Sequence, residues 1–285
     1  MFTIFSIALG LTLVFTGYLL HGGSMVIFVK AWTEFITILG GALGIFLAAN
    51  GLPVVKSTIA SLLNMLKPDP YTKPAFLELL VMLYQILNLA RREGLLGIEV
   101  HLEDPHKSSI LGANKLFSHD HHASAFFCDT MKVIVSGGVK PHDLAEMMEM
   151  DLEAAHKEET IVPDAIYNAG DAMPAVGICA CVLGVIITLG KIGGDPKDLG
   201  AAIGLALVGT FAGILFAYIV FFPVSKALGK RIETQSLYIG CIRHAIFSFA
   251  RGEAPMTCVE FARRNISPAL RPSFTETETA AKAKK

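Results

Sequence analysis

Two stretches without a single Asp, Glu, Lys or Arg, residues 172–190 and 199–225, constrain this chain more than anything else in it. An apolar run of about 18 residues or more is long enough to cross a bilayer as a helix, because a helix rises about 1.5 Å per residue through about 30 Å of hydrocarbon. Only the polar link 191–198 separates the two runs. They read as a helical hairpin through a membrane. Pro174 opens the first helix and Pro223 closes the second, at the same face of the bilayer.

Each helix of the hairpin has one stripe of small side chains, since residues at i, i+3, i+4 and i+7 share a face. The first reads Pro174, Gly177, Cys181, Gly184, Thr188 and the second Ala206, Thr210, Gly213, Ala217. In lipid such stripes let helices approach closely, packing taking over from the hydrophobic effect. Two readings stand: ordinary helix packing, or the wall of a path or seat for a partner's helix. An ion path needs an ionisable or ion-coordinating group, and the hairpin offers only hydroxyls and thiols.

With 53% hydrophobic and 17% charged residues, the chain falls below the charged fraction of a soluble domain, about 25%. The charge is bunched, mostly between Lys56 and Asp164 and after Lys226. The class is a polytopic membrane protein with a substantial water-facing part. A net charge of −1 gives nucleic acid no purchase. The five cysteines, Cys128, Cys179, Cys181, Cys241 and Cys258, imply neither a disulfide framework nor a zinc site. Small apolar filler is their expected role.

In chain order, residues 3–20 form the first membrane helix, broken at His21-Gly22-Gly23-Ser24, and residues 35–55 form the second. The second holds Gly40, Gly41 and Gly44, with Lys30 and Trp32 at the interface before it. No Lys or Arg precedes Lys30, so a signal-peptide n-region is absent. The count of basic residues near the membrane ends sets orientation. Lys56, Lys67, Lys157, Lys226, Lys230, Arg231 and Arg243 lie on one side, against Lys30, Lys191 and Lys197 on the other. The first side is the cytoplasm, and both termini and the large middle segment fall there. The expectation is an all-α polytopic protein. Segment 1–55 carries transmembrane helices 1 and 2, and 56–171 is a cytoplasmic helical domain. Segment 172–225 carries helices 3 and 4, and 226–285 is a cytoplasmic helix and tail.

Within the middle segment Thr72 caps a helix with Phe76, Leu80, Leu83, Leu87 and Ala90 at helical spacing, ended by Gly94. A short helix follows over 95–104. Ser136-Gly137-Gly138 stops another helix, and Pro141-His142-Asp143 starts one that runs through Glu159 to a joint at Val162-Pro163. The tail 275–285 looks disordered. The cluster His119-Asp120-His121-His122 reads as a polar turn, because the i, i+4 partners of a helical metal site are missing. No phosphate loop and no nucleophilic triad has supporting context, so an enzyme is not expected. Arg91, Arg92, Glu93, Glu99 and Glu103 form a mixed-charge patch, either a solvated helix end or a docking surface read through opposite charges.

Nearly the whole chain resembles the MotA family, the membrane subunits of the bacterial flagellar stator. The resemblance rests on Gly22-Gly23-Ser24, Gly40-Gly41-Ala42-x-Gly44, Met82-Leu83-Tyr84, Arg91-x-x-Gly94 and Glu99. It continues through Asp171-Ala172-Met173-Pro174-Ala175-x-Gly177 and Val208-Gly209-Thr210-Phe211-x-Gly213-Ile214-Leu215. Pro223 and Arg271-Pro272-Ser273-Phe274-Thr275-Glu276 complete it. It implies an inner-membrane ring, a pentamer, around two copies of a MotB partner that supplies a membrane Asp and a peptidoglycan grip. Inward ion flow turns the ring against the rotor protein FliG, with no cofactor. On this reading Pro174 and Pro223 are the prolines needed for torque and Thr210 the hydroxyl of the ion path. Arg91 and Glu99 face the rotor, whereas Arg92 and Glu93 match less clearly. Sodium-type relatives carry a Thr where this chain has Cys181, which favours the proton, while Thr188 on the same face keeps sodium open. An energiser of the ExbB or TolQ kind is the alternative, opposed by four membrane helices and by the Arg91 and Glu99 pair. A self-sufficient transporter would need its own intramembrane ionisable residue at mid-bilayer, and none is visible.

Overall fold

The computed structural model describes residues 2–190 and 192–283. Lys191, counted above for orientation, and Lys284 and Lys285 of the tail lie outside the described residues. All regular elements among the described residues are helical. In chain order they are α1 (Phe2–Leu20), α2 (Val26–Lys30), α3 (Trp32–Ala49), α4 (Leu52–Met65), α5 (Lys73–Glu93), α6 (Leu96–Glu103) and α7 (Lys115–His119). Then come α8 (His121–Ser136), α9 (Pro141–Leu189), α10 (Pro196–Leu215), a π-helical segment (Phe216–Phe221), α11 (Phe222–Ala250), α12 (Pro255–Asn265) and α13 (Phe274–Ala283).

The chain forms two compact units that interleave along the sequence. The first comprises Met1–Pro68 and Glu159–Lys230, the second Asp69–Glu158 and Arg231–Lys285. Five helical stretches are long and apolar enough to cross a membrane: Phe2–Leu20, Trp32–Ala49, Lys73–Glu93, Pro141–Leu189 and Pro196–Ala250. They differ in where the apolar surface goes. None of α1 is buried, whereas α5 buries Phe76, Leu79, Leu80, Leu83, Ile86 and Leu87 completely in the core of the second unit. Protein already covers the face that α5 would have to show to lipid.

Several helix boundaries depart from the sequence reading. The joint expected at Val162-Pro163 is absent, and α9 runs unbroken through Pro163 and Pro174, so Pro174 opens nothing. Good helix formers (Leu, Ala, Glu, Met, Lys) fill 144–159 and carry the helix into the first proline. Pro223 likewise does not close its helix, because the chain stays helical from Pro196 to Ala250 by way of the π segment. A proline ring clashes with the carbonyl of residue i−4, here Ile219 inside that segment. Widening the turn to i→i−5 bonding, as in Phe222 N–H to Ala217 O, accommodates the ring without breaking the helix. The second apolar helix ends at Ala49 rather than at 55, and Asn50 and Gly51 turn the chain into the amphipathic α4.

The tail departs from the reading as well. Instead of disorder, 274–283 forms α13, which packs on α5 with Thr277 and Ala281 buried. Ser273 and Glu276 close a capping box: Ser273 Oγ accepts from Glu276 N–H (3.1 Å) and Glu276 Oε2 accepts from Ser273 N–H (2.6 Å). Lys73 at the start of α5 adds an ion pair to Glu276 (3.0 Å). The Ser273 N–H, Lys73 and the Ser273 hydroxyl together hold the Glu276 carboxyl down at about 2.

Candidate ion-path wall and charged surface

In the first unit the two small-residue stripes face each other. A Cβ on Gly177 would lie 2.8 Å from Gly209 O, 3.2 Å from Gly213 Cα and 3.4 Å from Thr210 Cα. One on Gly213 would lie 2.6 Å from Met173 O and 3.1 Å from Gly177 Cα, and one on Gly184 2.7 Å from Ala206 Cβ. Backbone therefore meets backbone, and only glycine permits it. The third member of the contact is α3, where Gly41 receives Val176 (2.7 Å from an added Cβ). Gly40 and Gly44, expected to act alike, face open space. Ile38, Ala42, Met173, Ala180, Ala212 and Ala217 form the buried cluster around this contact.

Thr210 and Cys181 flank the glycine contact, both half-buried. Thr188 is buried, and its hydroxyl donates to Gly184 O at 2.8 Å, one turn back on its own helix. The prolines come together through their neighbours. Gly170, one turn before Pro174, meets Phe221 and Phe222, which immediately precede Pro223 (2.6 Å from an added Cβ to Phe221 Cβ). By lacking an N–H, Pro174 withholds the intrahelical donor from the Gly170 carbonyl at that point. Ser225 Oγ, buried, donates to Pro163 O at 2.8 Å and ties the second proline-bearing helix to the first.

The sequence reading missed Glu34, in the first turn of α3. Its Oε2 lies 3.2 Å from the Cβ position of Gly209 and its Oε1 3.6 Å from that of Gly184. A carboxylate of this chain thus stands against the hairpin beside Cys181, because Gly209 approaches Cys181 N to 3.3 Å in the same way. The hairpin itself carries no carboxylate, as read, but its surroundings do. A signal was present: Glu34 is the third residue of the apolar helix. Placing the helix boundary at Phe35 left it outside.

The second unit holds Arg91 and Glu99 on either side of Gly94, whose φ of +83° turns the chain from α5 into α6. Both side chains are exposed. Arg91 Nη1 donates to Glu253 O at 3.2 Å, in the loop before α12. Arg91 and Glu99 belong to the second unit, and Thr210, Cys181, Thr188 and the prolines to the first. The histidine cluster is the turn between α7 and α8. Asp120 caps α8 through Ala123 N–H (3.1 Å) and accepts from Tyr71 OH (2.7 Å), while His119 Nδ1 lies 2.8 Å from Lys115 O. No group of three or more His, Cys, Asp or Glu among the described residues is placed to hold a metal ion. Burial pushes the thiols of Cys128 and Cys258 up to about 11 and that of Cys241 to about 12, so none offers a thiolate near neutral pH.

Comparison with known proteins finds relatives that cover most of the chain. The family model for the Motility protein A N-terminal region matches residues 4–94, and that for the MotA/TolQ/ExbB proton channel family matches residues 118–240. Motility protein A of Escherichia coli (strain K12) is 32% identical over 272 residues, which covers 95% of this chain and 92% of that protein. Motility protein A of Salmonella typhimurium is 30% identical over 270 residues, 95% of this chain and 91% of that one. Among solved structures, that of Campylobacter (C. jejuni) MotAB superposes with a TM-score of 0.75 at 22% identity, covering 93% of this chain and 95% of that one. The flagellar MotAB stator complex from Bacillus subtilis gives 0.72 at 22%, covering 90% and 92%. At that identity the structures carry the fold.

Proposed function

Since the chain belongs to the Motility protein A family, we propose that it is the ring subunit of a flagellar stator in which proton flow turns the ring against FliG. Five copies surround two copies of a MotB-type partner, with both termini and the second unit in the cytoplasm. α1, α3, and the apolar parts of α9 and α10 with the π segment span the inner membrane. The Motility protein A match over residues 4–94 weighs against an ExbB- or TolQ-like energiser, although the proton channel match covers both kinds.

The observation that carries this reading is the glycine contact between the two hairpin helices, with Thr210 and Cys181 half-buried at its edge. It supplies a wall with hydroxyl and thiol and no carboxylate on the hairpin itself, with Glu34 of α3 at its edge, and the hairpin suits a carboxylate brought by the partner's membrane helix. When that carboxylate takes a proton, its preferred contacts with the wall change, and only such differential contact can shift a conformation. Pro174, Pro223 and the π segment give the adjoining backbone room to adjust. For the ion, Cys181 offers sulfur in place of oxygen, while the Thr188 hydroxyl, which donates to Gly184 O, keeps its lone pairs for a cation. A sodium ion needs several oxygen ligands, whereas a proton needs one titrating site, so the proton suits this wall.

The test is Thr210→Leu in a motile strain, followed by swimming speed, membrane level and copurification with the partner. Loss of swimming with the complex intact is the expected result, and normal swimming overturns the ion-path role. In wild type, speed should follow proton-motive force and ignore sodium varied at constant proton-motive force.

A further inference from the structure

The first unit contains a cavity of about 350 Å³ away from the small-residue wall. Each element around it contributes one face. α3 gives Leu39, Ala42, Leu43 and Phe46, spaced i, i+3, i+4 and i+7, and α4 gives Thr58 and Leu62. α9 adds Ile166 and Ala169, and the π segment adds Val220 and Phe221, with Val224 just past Pro223. The floor lies inside the protein, since Ala42, Thr58, Ile166 and Ala169 are 4–7% exposed. The rim faces outward, since Leu39, Leu43 and Leu62 are 39–57% exposed. Leu39 and Leu43 belong to a helix long and apolar enough to cross the membrane, so the rim opens on hydrocarbon.

We infer, from the membrane placement of the first unit and from neither the ion nor the rotor, that the cavity holds one acyl chain of a bilayer phospholipid, packed against the π segment. Chemistry rules out water and polar ligands. Thr58 is the one polar side chain among the lining residues, its hydroxyl donates to Val54 O at 2.8 Å, and a buried water needs about two to four polar partners. Volume rules out an empty void. Apolar cavities of about 150 Å³ already take up benzene, because atoms that line a gap forfeit their dispersion contacts. Shape rules out a helix of a second copy or of another chain. The hairpin helices of this unit meet at glycine, and the open glycines of α3, Gly40 and Gly44, lie roughly a third of a turn away from the cavity face. Branched leucines at the rim keep a helix backbone at a distance but let a thin, flexible chain pass. Such chains are what surrounds the rim in the bilayer, so the ligand is the solvent itself.

The experiment uses the full-length protein with the subunits that copurify, in nanodiscs containing a phosphatidylglycerol that carries a diazirine in mid-chain. Irradiation and peptide mass spectrometry map the adducts. Leu9 and Leu13 of α1, both exposed, report the lipid that only surrounds the protein. Adducts on Ala42, Ile166 and Ala169, which surrounding lipid does not reach, are the expected result. Ala169→Leu fills the floor and should lower labelling at Ala42 and Ile166 on the order of tenfold, with Leu9 and Leu13 labelled as before. If that variant melts early, Leu62→Trp narrows the rim and should act in the same way. Labelling of α1 without labelling of the floor overturns the site, and so does floor labelling that survives both variants. A floor that becomes labelled only after the complex is dissociated into single subunits gives the cavity to a neighbouring chain and overturns it too. Floor labelling by a diazirine fatty acid but not by the phospholipid overturns the choice of ligand. Each of these failures leaves the proposed function standing.

Discussion

The two units of this protein are both helical and are held together by opposite means. The core of the second is made of large side chains: Phe76, Phe117, Phe127, Tyr238, Leu79, Leu83 and Ile86 are all fully buried. The shared core of the first contains only one large aliphatic residue, Ile38, among alanines and a methionine, and its closest approaches run from glycine to backbone. The solvent explains the contrast. In water, burying apolar volume is the driving force, at about 25 cal/mol per Å². In lipid the outside is as apolar as the inside, so helices gain by close approach and backbone contact. The large residues of the first unit accordingly point outward: Leu9, Leu13, Leu43, Leu183, Ile186 and Ile187 are all exposed. One unit is sensitive to what is taken out of it, the other to what is put in.

That contrast can be attacked from both sides, and the single tryptophan helps because Trp32 lies in the first unit. Phe127→Ala removes a fully buried ring from the second unit and should cost about 3–5 kcal/mol. Far-UV circular dichroism of the detergent-solubilised protein should show an earlier melt, with Trp32 emission unchanged. A joint shift of both signals breaks the comparison, because it makes the units one cooperative body. Gly213→Ala adds a single methyl to the first unit. With the Met173 carbonyl 2.6 Å from the new carbon, overpacking should cost roughly 1–3 kcal/mol and move the Trp32 transition. The same change at Gly44, which faces open space, should leave that transition in place.

The smallest effect belongs to the surface of the second unit. Ser273→Ala removes the cap of α13 and should cost about 1 kcal/mol. The acid limb sharpens the point. Glu276 has its carboxyl lowered from 4.5 to about 2 by Ser273 N–H, Lys73 and the Ser273 hydroxyl. A depressed folded value means that the unfolded chain binds the proton first as pH falls. The contribution of Glu276 is therefore complete above about pH 4.5, and it fades toward pH 2. Glu276→Gln should flatten this part of the stability–pH curve, and a curve unchanged between those limits shows that the pairing does not form in solution.

Most of the secondary structure was legible because apolar runs and helical spacing act locally, as in Phe76, Leu80, Leu83, Leu87 and Ala90 of α5. The prolines misled because Pro163, Pro174 and Pro223 read as boundaries by their own chemistry. Tolerance of them depends on packing that no local window contains. The helix over 274–283 was legible in principle, since Ser273-Phe274-Thr275-Glu276 is a capping box in plain text, but its low apolar content hid it. The small stripes were read correctly as close-contact faces. What they contact was not readable, because spacing shows a face and never its partner. Glu34 is the clearest case: only the fold brings residue 34 against residues 184 and 209.

The interleaving of the two units has a consequence for how the protein is made. The α5 surface that α12 and α13 cover leaves the ribosome long before they do. At 5–20 residues per second, α13 follows the first part of the second unit by roughly 6–25 s. During that time the hairpin must be inserted while apolar residues of α5 wait uncovered in water. Biogenesis thus becomes a race between membrane insertion and self-association. A ribosome that stalls after Lys230 leaves the membrane unit finished and the second unit permanently open.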